Sequence, residues 1–168
     1  MELFWLLQAL AFFAMLVLLV PPFYMKKLLL FVVLGGFLYT LFVQHVAVNV
    51  LKLWRFQPDF LTLWNIPIFF VLAWFAVTWI YGYLLFYYPK QQLWIFTFFV
   101  LKALALQIVA VSGNHISYIH WSTANTFLFA IVSHIFLIYL LKVLYRVDQL
   151  GVHEDLVGYS LSLLKHRH

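Results

Sequence analysis

Residues 61–90 read LTLWNIPIFFVLAWFAVTWIYGYLLFYYPK, and this stretch carries no charged side chain before Lys90. A helix needs about 20 consecutive apolar residues to cross the hydrocarbon core of a bilayer, which is about 30 Å thick. The stretch therefore predicts a transmembrane helix over residues 61–86, which ends before the basic flank at Pro89-Lys90.

Four further stretches are long and apolar enough to cross a membrane, over residues 3–20, 28–50, 93–111 and 122–144. The connections between them are short, so consecutive helices should lie antiparallel as neighbours in one bundle. We therefore expect an all-α polytopic membrane protein, with a bundle of five transmembrane helices over residues 1–145. Residues 146–168 combine an apolar stripe with a basic end. They predict a short cytoplasmic tail that lies on anionic lipid as an amphipathic helix or docks on a partner.

The composition excludes several classes of protein. The 168 residues are 67% apolar and only 9% charged, whereas an ordinary soluble domain is about 25% charged. A soluble enzyme and a disordered tail are therefore poor interpretations, and the expected partner is the lipid bilayer. The basic residues flank hydrophobic runs instead of forming a stripe, so we expect no nucleic-acid partner. The chain has no cysteine and no recognisable catalytic or metal-binding motif, so we predict no catalytic residue, metal site or cofactor.

The distribution of Lys and Arg predicts the orientation of the bundle. Cytoplasmic flanks of membrane proteins carry an excess of these residues. With the N-terminus outside and the C-terminus inside, only Lys52 and Arg55 lie on the outer side. All other Lys and Arg residues outside the predicted helix centres then lie on the inner side. They are Lys26, Lys27, Lys90, Lys142, Arg146, Lys165 and Arg167. We expect a multi-pass protein of the cell (plasma) membrane.

Lys102 is a charged side chain in the middle of the fourth predicted helix. Such a position costs about 2.5 kcal/mol or more and indicates function. All five acidic residues lie at the ends of the chain or in flanks: Glu2, Asp59, Asp148, Glu154 and Asp155. Lys102 should therefore be neutral, hydrated in a cavity, paired with an acid from another subunit, or facing an anionic ligand. His134, midway along the fifth predicted helix, could meet it, either as a proton relay or as a hydrogen-bonded packing residue.

A second polar group falls in the outer half of the predicted bundle. Its members lie at similar depth if the predicted orientation is right, and they are Gln44, His45, Asn49, Asn65, Gln107 and Asn125. Such a group predicts either a polar pocket that opens to the outside or interhelical hydrogen bonds that hold the bundle together. The doublet Gly35-Gly36 in the second predicted helix favours close helix packing.

Three short segments carry a resemblance to a known family. Residues 31–39 read FVVLGGFLY, Tyr88-Pro89-Lys90 precedes the fourth predicted helix, and Trp121-Ser122 opens the fifth. In this order they resemble the CBO0543 family of small multi-pass membrane proteins, whose function is unassigned, over residues 25–145. The chain departs from the family pattern at Gly36, where the family has an acidic residue. The resemblance implies a multi-pass membrane fold, and no catalytic residue can be carried over because the family has no established site.

Three functions follow as expectations. The first is a non-enzymatic integral membrane protein, an accessory or sensing subunit with a polar pocket in the outer half of the bundle. The second is a small oligomeric transporter or channel, in which Lys102 and His134 line an anion or proton path. The third is a membrane-embedded enzyme that acts on a lipid or isoprenoid.

Overall fold

The computed structural model describes residues 3–145, and the predicted tail lies outside them. The described chain is mostly helical (78%). Four helices are long and apolar enough to cross a membrane, and they cover Pro22–Val50, Ile68–Tyr87, Pro89–Ser112 and Thr123–Tyr145. In length and composition, these helices are those of a membrane-embedded protein.

The helices begin and end as follows: α1 at Phe4–Leu19, α2 at Pro22–Val50, α3 at Ile68–Tyr87, α4 at Gln92–Ser112 and α5 at Thr123–Tyr145. A 3₁₀ turn at Pro89–Gln91 leads into α4. With 16 residues, α1 is about 24 Å long and is the shortest of the five.

Two helices begin more than one residue away from the predicted position. Helix α2 starts at Pro22 and not at residue 28, because proline fits the first turn of a helix, where its missing N–H costs nothing. Lys26 and Lys27 therefore lie inside α2 and not in a flank before it. Helix α3 starts at Ile68 and not at residue 61, because residues 62–67 form a hairpin.

Four short strands lie between the helices, and the all-α expectation did not include them. β1 (Trp54–Phe56) pairs antiparallel with β4 (Ile116–Tyr118), and β2 (Thr62–Leu63) pairs with β3 (Ile66–Pro67). We call residues 51–67 and 113–122 together the loop cap. The β2–β3 turn consists of Trp64 and Asn65, which both have positive φ angles, of 53° and 62°. That geometry is typical of a two-residue hairpin turn.

Helix α2 is not α-helical throughout. It becomes π-helical at Val32–Leu38 and Val46–Val50, and Gly35 and Gly36 lie in the first of these segments. A Cβ atom on Gly36 would lie 3.0 Å from the Cβ atom of Thr78 and 3.2 Å from the Cα atom of Phe75 on α3. A Cβ atom on Gly35 would approach Leu137 on α5. The structure thus confirms that this doublet permits close helix packing.

Hydrogen bonds and ring contacts hold the two ends of the bundle. At the end opposite the loop cap, Tyr145 donates to the Lys27 carbonyl (2.6 Å) and the Trp79 indole donates to the Met25 carbonyl (3.1 Å). At the loop-cap end, the Trp5 ring of α1 packs edge-on against the ring of Phe56 in β1, with centroids 5.6 Å apart. Helix α1 therefore runs along α3 with its N-terminus at the loop cap.

Candidate functional site

Lys102 lies on α4 among aromatic rings. Its Nζ atom is 4.7 Å from the ring centroid of Phe12, 5.1 Å from that of Trp74 and 5.3 Å from that of Phe99. An ammonium group within about 6 Å of a ring face is attracted by the ring quadrupole. The rings come from α1, α3 and α4, so they surround the ammonium group where no acid of residues 3–145 pairs with it.

His134 lies on α5 with only 2% of its surface exposed. Its Nδ1 atom is 2.7 Å from the Ala130 carbonyl oxygen one turn earlier, so Nδ1 carries the proton and Nε2 remains a hydrogen-bond acceptor. The rings of Trp74 and Phe99 lie 6.3 and 6.4 Å from the His134 ring. His134 and Lys102 therefore contact the same two rings, and this places them in one neighbourhood, as expected from the sequence.

Asn49 connects three members of the outer polar group. Its amide nitrogen donates to the Trp64 carbonyl (2.8 Å) and lies 3.3 Å from Nδ1 of His45. Its oxygen accepts a hydrogen bond from Asn65 (3.1 Å). The Trp64 ring packs edge-on against His45, with centroids 4.9 Å apart. These residues therefore clamp the β2–β3 turn to the end of α2.

The remaining members of the outer group lie apart from this clamp. Gln44 is buried, and its oxygen accepts a hydrogen bond from the Trp54 indole (3.2 Å). Asn125 is exposed, and it is its backbone N–H that donates to the hydroxyl of Ser122 (3.2 Å) at the start of α5. Gln107 is half-buried on α4 and takes no part in the hydrogen bonds of Asn49 or Gln44.

A cavity of about 70 Å³ lies between α2, α3 and α5. Of the predicted site residues, it brings together Gln44 and His134. Its other polar lining residues all carry hydroxyl groups, and they are Tyr39, Thr40, Thr78, Thr126 and Ser133. We call this space the hydroxyl cavity. It is large enough to hold water molecules or the polar end of a ligand.

Most hydroxyl groups of the cavity wall already have a partner. Tyr39 and Ser133 share a hydrogen bond of 3.0 Å across the cavity. Thr78 donates to the Trp74 carbonyl (2.8 Å), and Thr126 accepts a hydrogen bond from the Trp121 indole (2.9 Å). These bonds fix the wall and leave its polar atoms in defined positions.

Gln44 and His134 each keep one polar atom without such a partner. The Gln44 oxygen is bound to Trp54, so its NH₂ group points away from that ring. The Nδ1 atom of His134 is bound to Ala130, so its Nε2 atom remains. No residue of the described chain hydrogen-bonds either atom. The cavity therefore offers a donor on Gln44 and an acceptor on His134, and both side chains are more than nine-tenths buried.

Sequence reasoning missed the hydroxyl groups because it followed amides and ionisable side chains. Hydroxyl residues often bond the carbonyl one turn earlier in their own helix, as Thr78 does, so a single one carries little information. A signal was nevertheless present on α5, where Thr126, Ala130 and Ser133 lie on one face at helical spacing and are all buried.

Comparisons with known families, curated proteins and solved structures found no match to this chain. Within residues 3–145, no group of three or more His, Asp or Glu side chains is placed to hold a metal ion. The geometry of the site supplies neutral hydrogen-bonding groups inside an apolar bundle.

Proposed function

We propose that this protein is a non-enzymatic integral membrane protein, an accessory or sensing subunit of the cell membrane, whose ligand occupies the hydroxyl cavity. The observation that carries this proposal is that Gln44 and His134, two buried side chains that each keep a polar atom without a hydrogen-bond partner, line a common cavity. Buried polar groups nearly always have hydrogen-bond partners, so water or the polar end of a ligand would complete the bonding of these two side chains. The outer amides instead serve the fold, because Asn49 and Asn65 hold the hairpin.

The proposal includes five membrane spans with the N-terminus outside and the C-terminus inside. The contacts of α1 support it, because its N-terminal Trp5 lies at the loop cap. A helix of this length can cross a bilayer that thins locally. The chain has no cysteine, so Asn114→Cys and Gln91→Cys would each carry one reactive thiol. In intact cells an impermeant maleimide should label Asn114→Cys, and Gln91→Cys only after permeabilisation.

The geometry around Lys102 favours ligand binding over an anion or proton path. The cavity wall includes His134 and Trp74, whereas Lys102 contacts the Trp74 ring and is not among the residues that line the cavity. A path through both ionisable side chains would have to extend beyond the residues that line the cavity. An acid supplied to Lys102 by a partner subunit stays a prediction, as does the relation to the CBO0543 family.

Thermal stabilisation by lipid tests this function. A ligand that binds only the folded protein raises its melting temperature, so a membrane lipid extract should stabilise the purified full-length chain in detergent. Ala130→Leu places extra volume in the cavity wall and should abolish this stabilisation. Ala124→Leu, the same change at an exposed position of α5, should keep it.

A second variant covers the case in which Ala130→Leu does not fold. Thr40→Val removes a cavity hydroxyl while nearly preserving volume, and it should reduce the lipid-induced rise in melting temperature. Equal stabilisation of the wild-type chain and both cavity variants would mean that lipid acts as a general solvent and that the cavity is not a ligand site.

A further inference from the structure

An apolar groove lies next to the hydroxyl cavity, where α2 and α5 diverge towards the loop cap. Its volume is about 380 Å³, within the range of about 300–1,000 Å³ typical of ligand sites. Its lining is wholly apolar and includes Phe42, Val46, Trp54 and Trp121. Phe42 is 67% exposed, so the groove opens towards the surface that lipid chains would cover.

The groove and the hydroxyl cavity abut. Val43 and Phe129 line both spaces. Trp54 connects them in a second way, because its ring lines the groove while its indole N–H holds the oxygen of Gln44 in the cavity wall. A single elongated molecule would therefore place an apolar body against the groove and a polar end between Gln44 and His134.

The polar end must be neutral and must both donate and accept hydrogen bonds. None of the residues that line either space carries a full charge. A phosphate or ammonium group would therefore be desolvated there without compensation. The free NH₂ group of Gln44 is a donor and Nε2 of His134 is an acceptor. A hydroxyl group suits either atom, because it can accept from the amide and can donate to the imidazole.

We propose that the groove and the hydroxyl cavity together bind a neutral, lipid-soluble alcohol. Its hydrocarbon chain lies in the groove, and its hydroxyl group lies between Gln44 and His134. This inference rests on the proposed function and adds the chemical class of the ligand. Entry takes place from the bilayer past Phe42.

Photolabelling of the full-length protein in nanodiscs tests this inference. The probe is hexadecanol with a diazirine in its chain, and it is compared with the same chain lacking the hydroxyl group and with its phosphate ester. We expect saturable labelling of the peptides that cover residues 42–54 and 121–129. Loss of one buried hydrogen bond corresponds to about a tenfold change in affinity, so the alcohol should bind about tenfold more tightly than the hydrocarbon.

Matched variants assign the two parts of the site. Val43→Phe fills the junction and should reduce labelling by the alcohol, whereas Val132→Phe makes the same change at a position that is 63% exposed and should not. Gln44→Leu and His134→Leu should each remove the preference for the alcohol over the hydrocarbon, and His134→Gln should restore part of it. If these variants do not fold, the comparison of the three probes on the wild-type chain still tests whether the site prefers a neutral alcohol.

Three results would overturn the inference. They are equal affinity for alcohol and hydrocarbon, tighter binding of the phosphate ester, and labelling that Val43→Phe leaves unchanged. If lipid extract still stabilises the protein in a cavity-dependent manner, such results rule out a neutral alcohol as the ligand and leave the proposed function in place. If that stabilisation is also absent, both proposals fail.

Discussion

Replacing Asn49 by alanine should release the β2–β3 hairpin from the end of α2. The Asn49 side chain donates to the Trp64 carbonyl at 2.8 Å, accepts from Asn65 at 3.1 Å and lies 3.3 Å from Nδ1 of His45. Alanine removes all three contacts and leaves the helix backbone intact. The turn at Trp64-Asn65, where both residues have positive φ angles, then loses the Asn49 amide that holds it to α2.

The expected loss of stability follows from these contacts. A hydrogen bond contributes about 0.5–1.5 kcal/mol net, and the bonds of Asn49 lie near the surface, so together they stabilise the fold by about 2 kcal/mol. Alanine regains about 0.5 kcal/mol because it is the better helix former. The net loss in the free energy of unfolding should therefore be about 1.5 kcal/mol.

Asn125→Ala provides the matched control. Asn125 also belongs to the predicted outer group, but its side chain is exposed and its one hydrogen bond uses the backbone N–H. Its replacement should cost less than about 0.5 kcal/mol.

Equilibrium unfolding in mixed detergent micelles measures both variants, and hydrogen exchange at Leu63 and Ile66 should accelerate only in Asn49→Ala, since these residues pair across the hairpin. Equal losses in the two variants, or unchanged exchange in the hairpin, would refute the clamp.

Two further predictions concern α2 and Lys102. Gly36→Ala should lower the free energy of unfolding by about 1–3 kcal/mol, because its Cβ atom would meet the Phe75 backbone at 3.2 Å. Gly35→Ala should lower the free energy of unfolding by less, since the nearest atom is the end of the flexible Leu137 side chain. A larger loss for Gly35→Ala than for Gly36→Ala in the same unfolding assay would contradict this packing. Lys102→Met should leave stability unchanged within about 1 kcal/mol or raise it, because three ring contacts of about 0.5–1 kcal/mol each offset a burial cost of about 2.5–3.5 kcal/mol. A loss above about 3 kcal/mol would show that the ammonium group has a stronger partner than the rings.

The apolar runs predicted the long helices because bilayer thickness fixes the length of a span. The apolar runs did not predict the helix boundaries that depend on local sequence. The second helix was predicted to begin at residue 28, although Pro22 begins α2. The hairpin before α3 was missed because its turn is Trp64-Asn65 and not the Asn-Gly pair that usually signals such a turn.

The site was predictable only in part for a different reason. A soluble helix reveals its inward face by the alternation of apolar and polar residues, but these helices are apolar all round. The sequence therefore gives the depth of a residue and not the direction in which it points. Gln44 and His134 were nominated as site residues because they are polar residues within apolar helices, and both are buried. Their meeting with Tyr39 and Ser133 depends on the rotation of α2 and α5 about their axes, which no local pattern encodes.

An experimental density map of the protein, purified with its native lipids in nanodiscs, tests the central claim most directly. We predict density for a ligand that runs along the groove past Val43 and ends between the Gln44 amide and Nε2 of His134. A map in which the hydroxyl cavity holds no density, or in which the Trp74 side chain has moved to fill it, would contradict the account.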